Sequence, residues 1–152
     1  MSDSQTNLNK ALDALQSRIG QSNTASDWFE VTQDRIDGFA EVTMDHQWIH
    51  VDVEKAKSGP FGEPIAHGHL TLSIMGHLPK TESVPGPKLE GQKLSINYGF
   101  DKVRFPSPVP VGAQIRATST LKRAEIKGGM IETMNEVAVS YTHLTLPTKR
   151  IV

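Results

Sequence analysis

The 152-residue chain contains no cysteine. That removes disulfides, thiolate nucleophiles and cysteine-based zinc sites together. It also lacks an excess of charge of either sign: the formal net charge is −1, so no basic field points to nucleic acid or to an acidic membrane surface. No apolar run approaches the roughly 20 residues that span a bilayer. The N-terminus "MSDSQTNLNK" does not follow the charged-then-apolar order of a secretory leader, and a cytoplasmic protein is expected. What remains is 37% hydrophobic and 22% charged, a balance that suits one soluble globular domain with a core of its own.

The order of patterns predicts an α+β plan. "NLNKALDALQSRIG" sets Leu8, Ala11, Leu12, Leu15 and Ile19 at helical spacing, with Gly20 as the stop. "DWFEVT" reads as a short strand, and Thr32 is placed to cap the helix "QDRIDGFAEVT" that follows. "IAHGHLTLSIMGHL" is apolar nearly all round and predicts a long buried helix. A Pro/Gly-rich loop, "PKTESVPGPKLEG", comes next. "QKLSINYGFDKVRF", "AQIRATSTLKRAEI" and "MIETMNEVAVS" then read as strands, the last two joined by the hairpin signal "KGGM". An antiparallel sheet wrapped around one long central helix is the architecture these elements imply. The closing segment "YTHLTLPTKRIV" is different, because Pro147 weakens any strand there.

Chemistry-bearing residues concentrate in "TMDHQWIHVD", where Asp45 and His50 stand five positions apart. By themselves they are either a catalytic pair or a polar turn. A metal reading through His46, His50 and Asp52 lacks a fourth ligand, so no metal is expected. Asp52 reads as a turn or helix cap and Trp48 as a packed side chain. Two further stretches stand out: "PIAHGHL", with Gly68 at a helix start, and "NYGFDKVRFPSPVPVG".

Together, "DHQWIHVD", "GPFGEPIAHGHLTLS" and "NYGFDKVRFPSPVPVG" resemble the MaoC-like dehydratases, the (R)-specific enoyl-CoA hydratases of hotdog fold. The branch related to nodulation protein N is closest in pattern. The resemblance covers roughly residues 28–139. It divides the chain into an N-terminal helix and linker (1–22), a hotdog domain (23–140) and an atypical tail (141–152). That tail departs from the family's ending and reads as a divergent end, a frameshift or an appended segment.

The resemblance implies addition of water to a trans-2-enoyl thioester, or its reverse. Asp45 takes the base position, His50 holds and orients the same water, and the backbone N–H of Gly68 serves the thioester oxygen. His67 and Ser73 are candidate substrate-binding residues, each with a structural alternative: a backbone-bonded histidine and a helix-packing serine. Leu72, Ile74, Met75 and Leu78 are candidates to line an acyl tunnel. Arg104 or Lys102 suits the phosphates of CoA. CoA or an acyl-carrier protein carries the substrate, no separate cofactor is expected, and two copies form a homodimer. The alternatives are an acyl-CoA thioesterase and a non-catalytic acyl-thioester binder. The family's intervening Asn and Pro are here Gln47 and Trp48, a departure that leaves the Asp–His spacing intact.

Overall fold

The computed structural model describes residues 3–80, 89, 91–142 and 150–151. In chain order the elements are α1 (Asp3–Gln16), β1 (Phe29–Glu30), α2 (Gln33–Thr43), α3 (Trp48–Val51), α4 (Val53–Lys57), α5 (Gly68–Ile74), a 3-10 turn (Met75–His77), β2 (Gln114–Lys127), β3 (Met130–Tyr141) and β4 (Arg150–Ile151). The strands form one antiparallel sheet in the order β1-β2-β3-β4.

The β2–β3 hairpin carries the sheet. Val and Ile with alternating small residues suit a half-buried strand, and Gly128 and Gly129 supply the two positive φ angles (57° and 79°) that a tight hairpin turn requires. The register shifts between Leu121 and Arg123, a bulge that bends β2. Ala113, Ile115, Ala117 and Val139 present the buried face. Against them pack Val31, Ile36, Ala66, Leu70 and Leu78, the core cluster joined by Val109.

α2 spans the predicted residues, and its first turn carries Asp34. Thr32 holds the extended cap conformation, but its side chain makes no capping hydrogen bond. Its carbonyl accepts the N–H groups of Arg35 and Ile36 instead, so the expected hydroxyl cap is absent. At the other end Met44 closes the helix in the left-handed region, φ 61°. Asp52 caps as expected: its Oδ1 accepts the Lys55 N–H at 3.0 Å.

Two expectations need correcting. The central helix is short, with seven residues in α5 and three more in the 3-10 turn. Residues 65–66 before it are extended, since Ile65 bridges to Pro110 and the Ala66 N–H donates to Val109. Gly76 and the Leu78–Pro79 step after it both disfavour continuation. Its outer side is exposed at Ser73 and Gly76 rather than buried all round.

The second correction concerns residues 92–105, which form no strand. Apolar alternation there leaves Leu94, Ile96 and Tyr98 67%, 72% and 90% exposed. A strand needs a neighbour for its backbone groups, and among the described residues no strand pairs with this segment. The predicted loop at 79–91 and the Pro147 of the tail fall largely or wholly outside the described residues. Among the described residues no helix is long and apolar enough to cross a membrane.

Candidate active site

α3 is a single turn between α2 and α4, and it delivers His50 inward. Gln33, in the first turn of α2, donates its side-chain amide to the His50 carbonyl at 2.8 Å and to Asp37 at the same distance. The Ile65 N–H donates to Ile49 at 3.0 Å. Held from both sides, His50 is buried, 7% exposed. Its Nδ1 lies 2.6 Å from the Ile65 carbonyl oxygen. A carbonyl can only accept, so Nδ1 carries the proton and Nε2 is left as the free acceptor. Burial holds the His50 pKa below its ordinary 6.5, opposed by the Ile65 bond and lowered further by His67. The ring is therefore a neutral acceptor at pH 7.

Asp45 lies on the exposed loop just after the left-handed Met44. His67 immediately precedes α5 and is 3% exposed. Asp45, His50 and His67 each bring one potential ligand atom within 4.8 Å of the others, so the fold assembles a trio from three segments. The trio suits a metal poorly. The two imidazoles stack at 3.8 Å with planes only 28° apart. An ion at bonding distance in the plane of one ring stands off the plane of the other, away from its lone pair.

Beside His50 opens a cavity of about 310 Å³. Gly68 and Thr71 of α5, Val139 and Tyr141 of β3, Phe61, Ile65, Ala66 and the 104–109 segment complete its wall. Among the described residues no hydrogen bond engages the Gly68 N–H. A Cβ built on Gly68 would stand 2.6–2.9 Å from the Phe105 ring, so glycine here provides space, not a positive φ. Thr71, one turn further on, buries a hydroxyl with no partner among the described residues.

Of the residues singled out in the sequence, His50 and Gly68 share the cavity wall, while Asp45 stands beside His50 and His67 and is not on that wall. Arg104 lines the cavity too, with its guanidinium donating to the Val103 carbonyl. His67 lies behind His50 and is not on the wall. Ser73 is not brought in: it is exposed, and its hydroxyl donates to the His69 carbonyl at 2.7 Å. Nor do Leu72, Ile74, Met75 and Leu78 line this cavity. Leu72 and Met75 border a second groove with Asn97 and Phe100, while Leu78 is core. His46 is exposed, facing Glu41 at 3.8 Å. Trp48 packs over Gly59, with the Lys55 ammonium on its ring. The sequence reading missed Gln33, Ile65, Thr71 and Phe105. Each acts by proximity across distant segments, which no local spacing signals.

A model of the "MaoC like domain" matches residues 14–144. The chain belongs to the MaoC-like family. It is 48% identical over 114 residues to 3-hydroxyacyl-thioester dehydratase Z of Mycobacterium tuberculosis, covering 75% of this chain and 73% of that one. It is 42% identical over 133 residues to nodulation protein N of Rhizobium leguminosarum bv. viciae, covering 86% and 81%. Among solved structures, a monoamine oxidase regulatory protein from Archaeoglobus superposes with TM-score 0.67 at 25% identity, over 88% of this chain and 83% of that one. The unliganded R-hydratase of Pseudomonas aeruginosa superposes with TM-score 0.62 at 19% identity, over 88% and 76%. The fold of this MaoC-like chain is thus a hotdog, α+β, with its short central helix against the antiparallel sheet.

Proposed function

We propose that the protein is a hydratase/dehydratase that adds water to a trans-2-enoyl thioester, or eliminates it from an (R)-3-hydroxyacyl thioester. The observation that carries this reading is an imidazole of fixed tautomer, His50, with the Asp45 carboxylate beside it, on a cavity that also holds Gly68, whose N–H has no partner among the described residues. The Nε2 acceptor of His50 orients a water, and the Asp45 carboxylate takes one of its protons as the oxygen attacks C3. The C2=C3 electron pair shifts toward the thioester, whose oxygen becomes negative and accepts from Gly68 N–H. C2 then takes up a proton delivered through the pair, which leaves the 3-hydroxyacyl thioester. No cofactor takes part in these steps, because CoA belongs to the substrate, and no metal is proposed.

The relative named 3-hydroxyacyl-thioester dehydratase supports this assignment. So does the absence of Asp or Glu in α5, since a thioesterase acid on that helix is lacking. Arg104 at the cavity is the proposed contact for the phosphates of the carrier, CoA or an acyl-carrier protein. A second copy of the chain is the proposed cover for Leu94, Ile96 and Tyr98, and the cytoplasm the proposed location. The test is turnover of trans-2-enoyl-CoA of several chain lengths, followed by loss of the conjugated thioester absorbance. No turnover at any length rejects hydration. Free thiol released from saturated acyl-CoA replaces it with hydrolysis, and binding without conversion with a carrier role.

A further inference from the structure

We infer that His67 is a positioning residue that locks the loop bearing Asp45 to the base of α5, and so fixes the distance between the water-activating pair and Gly68. The inference rests on the hydratase reading and adds a residue to it.

Asp45 itself is exposed, on a loop that follows a left-handed residue. A carboxylate so placed has no packing of its own to fix it. Among the described residues, one hydrogen bond ties its backbone to the core. His67 Nε2 lies 2.9 Å from the backbone oxygen of Asp45, and since that oxygen can only accept, Nε2 carries the proton. The donor is rigid, because the His67 ring is 3% exposed, stacked on His50 at 3.8 Å and tilted against Phe39 at 5.1 Å. Its Nδ1 is buried without a partner among the described residues, so Nε2 is the hydrogen bond that orients the ring. His67 also precedes Gly68 directly, and its carbonyl accepts the N–H groups of Leu70 and Thr71. One residue thus touches the Asp45 backbone, the His50 ring and the first turn of α5. It reaches Asp45 through the main chain, so its effect on the chemistry is indirect.

Three variants and one spectrum test this. His67→Phe keeps an aromatic ring against His50 and deletes the donor. His67→Gln restores an N–H donor near the Nε2 position. The Phe variant is expected to lose kcat by about 30- to 100-fold, the scale of a 1 Å misplacement, with KM within about threefold because the cavity wall is untouched. The Gln variant is expected to recover at least about half of that loss on a logarithmic scale, and His67→Leu to behave like Phe. Equal losses in Gln and Phe, or a Phe variant with unchanged kcat, overturn the inference.

Nitrogen-15 NMR of the unmodified protein gives a readout that needs neither activity nor a folded variant. Near pH 8, His50 is expected as the Nδ1–H tautomer and His67 as Nε2–H. An Nδ1–H tautomer at His67 removes the tie and overturns the inference even if the enzyme is fully active. Conversely, a chain that hydrates no enoyl thioester but shows these tautomers fails the hydratase reading while the tie stands. In a folded Phe variant, backbone order parameters at residues 45–46 are expected to fall from about 0.85 to below about 0.6. An unchanged order parameter there counts against His67 as the lock.

Discussion

Gly68→Ala is the sharpest single perturbation, because two effects of known scale act in opposite directions. Alanine favours the helix by up to about 1 kcal/mol over glycine. The new Cβ, however, arrives 2.6, 2.7 and 2.9 Å from three ring atoms of Phe105, where ordinary contact is 3.4–4 Å. The ring has to withdraw by about 1 Å. Overpacking of this kind costs about 1–3 kcal/mol, and Phe105 is 42% exposed on an irregular segment, which favours the low end. The two nearly offset, leaving a net loss of at most about 1 kcal/mol, or a Tm lowered by no more than about 2–4 °C. The effect on rate is larger. A methyl group beside the Gly68 N–H obstructs close approach of the thioester oxygen, and loss of one such donor lowers kcat by about 10²-fold, about 2.7 kcal/mol of transition-state stabilisation. Steady-state hydration of trans-2-enoyl-CoA, with a thermal melt on the same sample, measures both. Gly76→Ala is the control: a Cβ there meets nothing within 4 Å, and activity and Tm should hold. Wild-type kcat in Gly68→Ala would refute the role given to this N–H. A melting loss as large as the activity loss would refute the reasoning that separates them.

Asp45→Asn should lower kcat by about 10²–10⁴-fold, the usual worth of a general base. Since Asp45 is exposed, the chemical-denaturation midpoint should stay put, and retained turnover would reject the base. His50 has a lowered pKa in the fold, so the unfolded chain binds the extra proton first as pH falls. The stability due to the neutral ring is present above the unfolded value of about 6.5 and is lost as pH drops through the folded value. Urea melts between pH 7.5 and 5 should weaken less steeply with acid in His50→Asn, and kcat/KM of the unsubstituted protein should fall on the acid side with an apparent pKa below about 6.5. Ile36, fully buried in the core, should cost about 2–5 kcal/mol on truncation to alanine without altering the residual folded enzyme's KM. Denaturant titration and kinetics check the two halves separately.

Much of the local structure was legible because it is set by neighbours in sequence. The spacing of Ile36, Phe39 and Ala40 defines α2, the pair Gly128–Gly129 defines the hairpin turn, and β-branched alternation defines β2 and β3. The site motif was legible for a different reason: Asp45, His50 and Gly68 fall in stretches whose joint pattern resembles one family. What misled were segments whose state depends on a distant partner. "QKLSINYGFDKVRF" has strand composition, yet a strand forms only beside another, and among the described residues none pairs with it. The long helix was overread because apolar content masked Gly76 and Pro79.

By itself the sequence determined the family and the order of most elements, and it singled out Asp45, His50 and Gly68 as candidates. Only the tertiary structure decided what surrounds them. It placed Ser73 on the outer side and brought Thr71 and Phe105 to the cavity. It stacked His67 on His50 and set a carbonyl oxygen against one nitrogen of each, Ile65 for His50 and Asp45 for His67, which fixes both tautomers. Hydrogen-bond direction and ring stacking depend on ångström-scale distances between segments 15–22 residues apart, and a pattern of residue types along the chain carries no such distances.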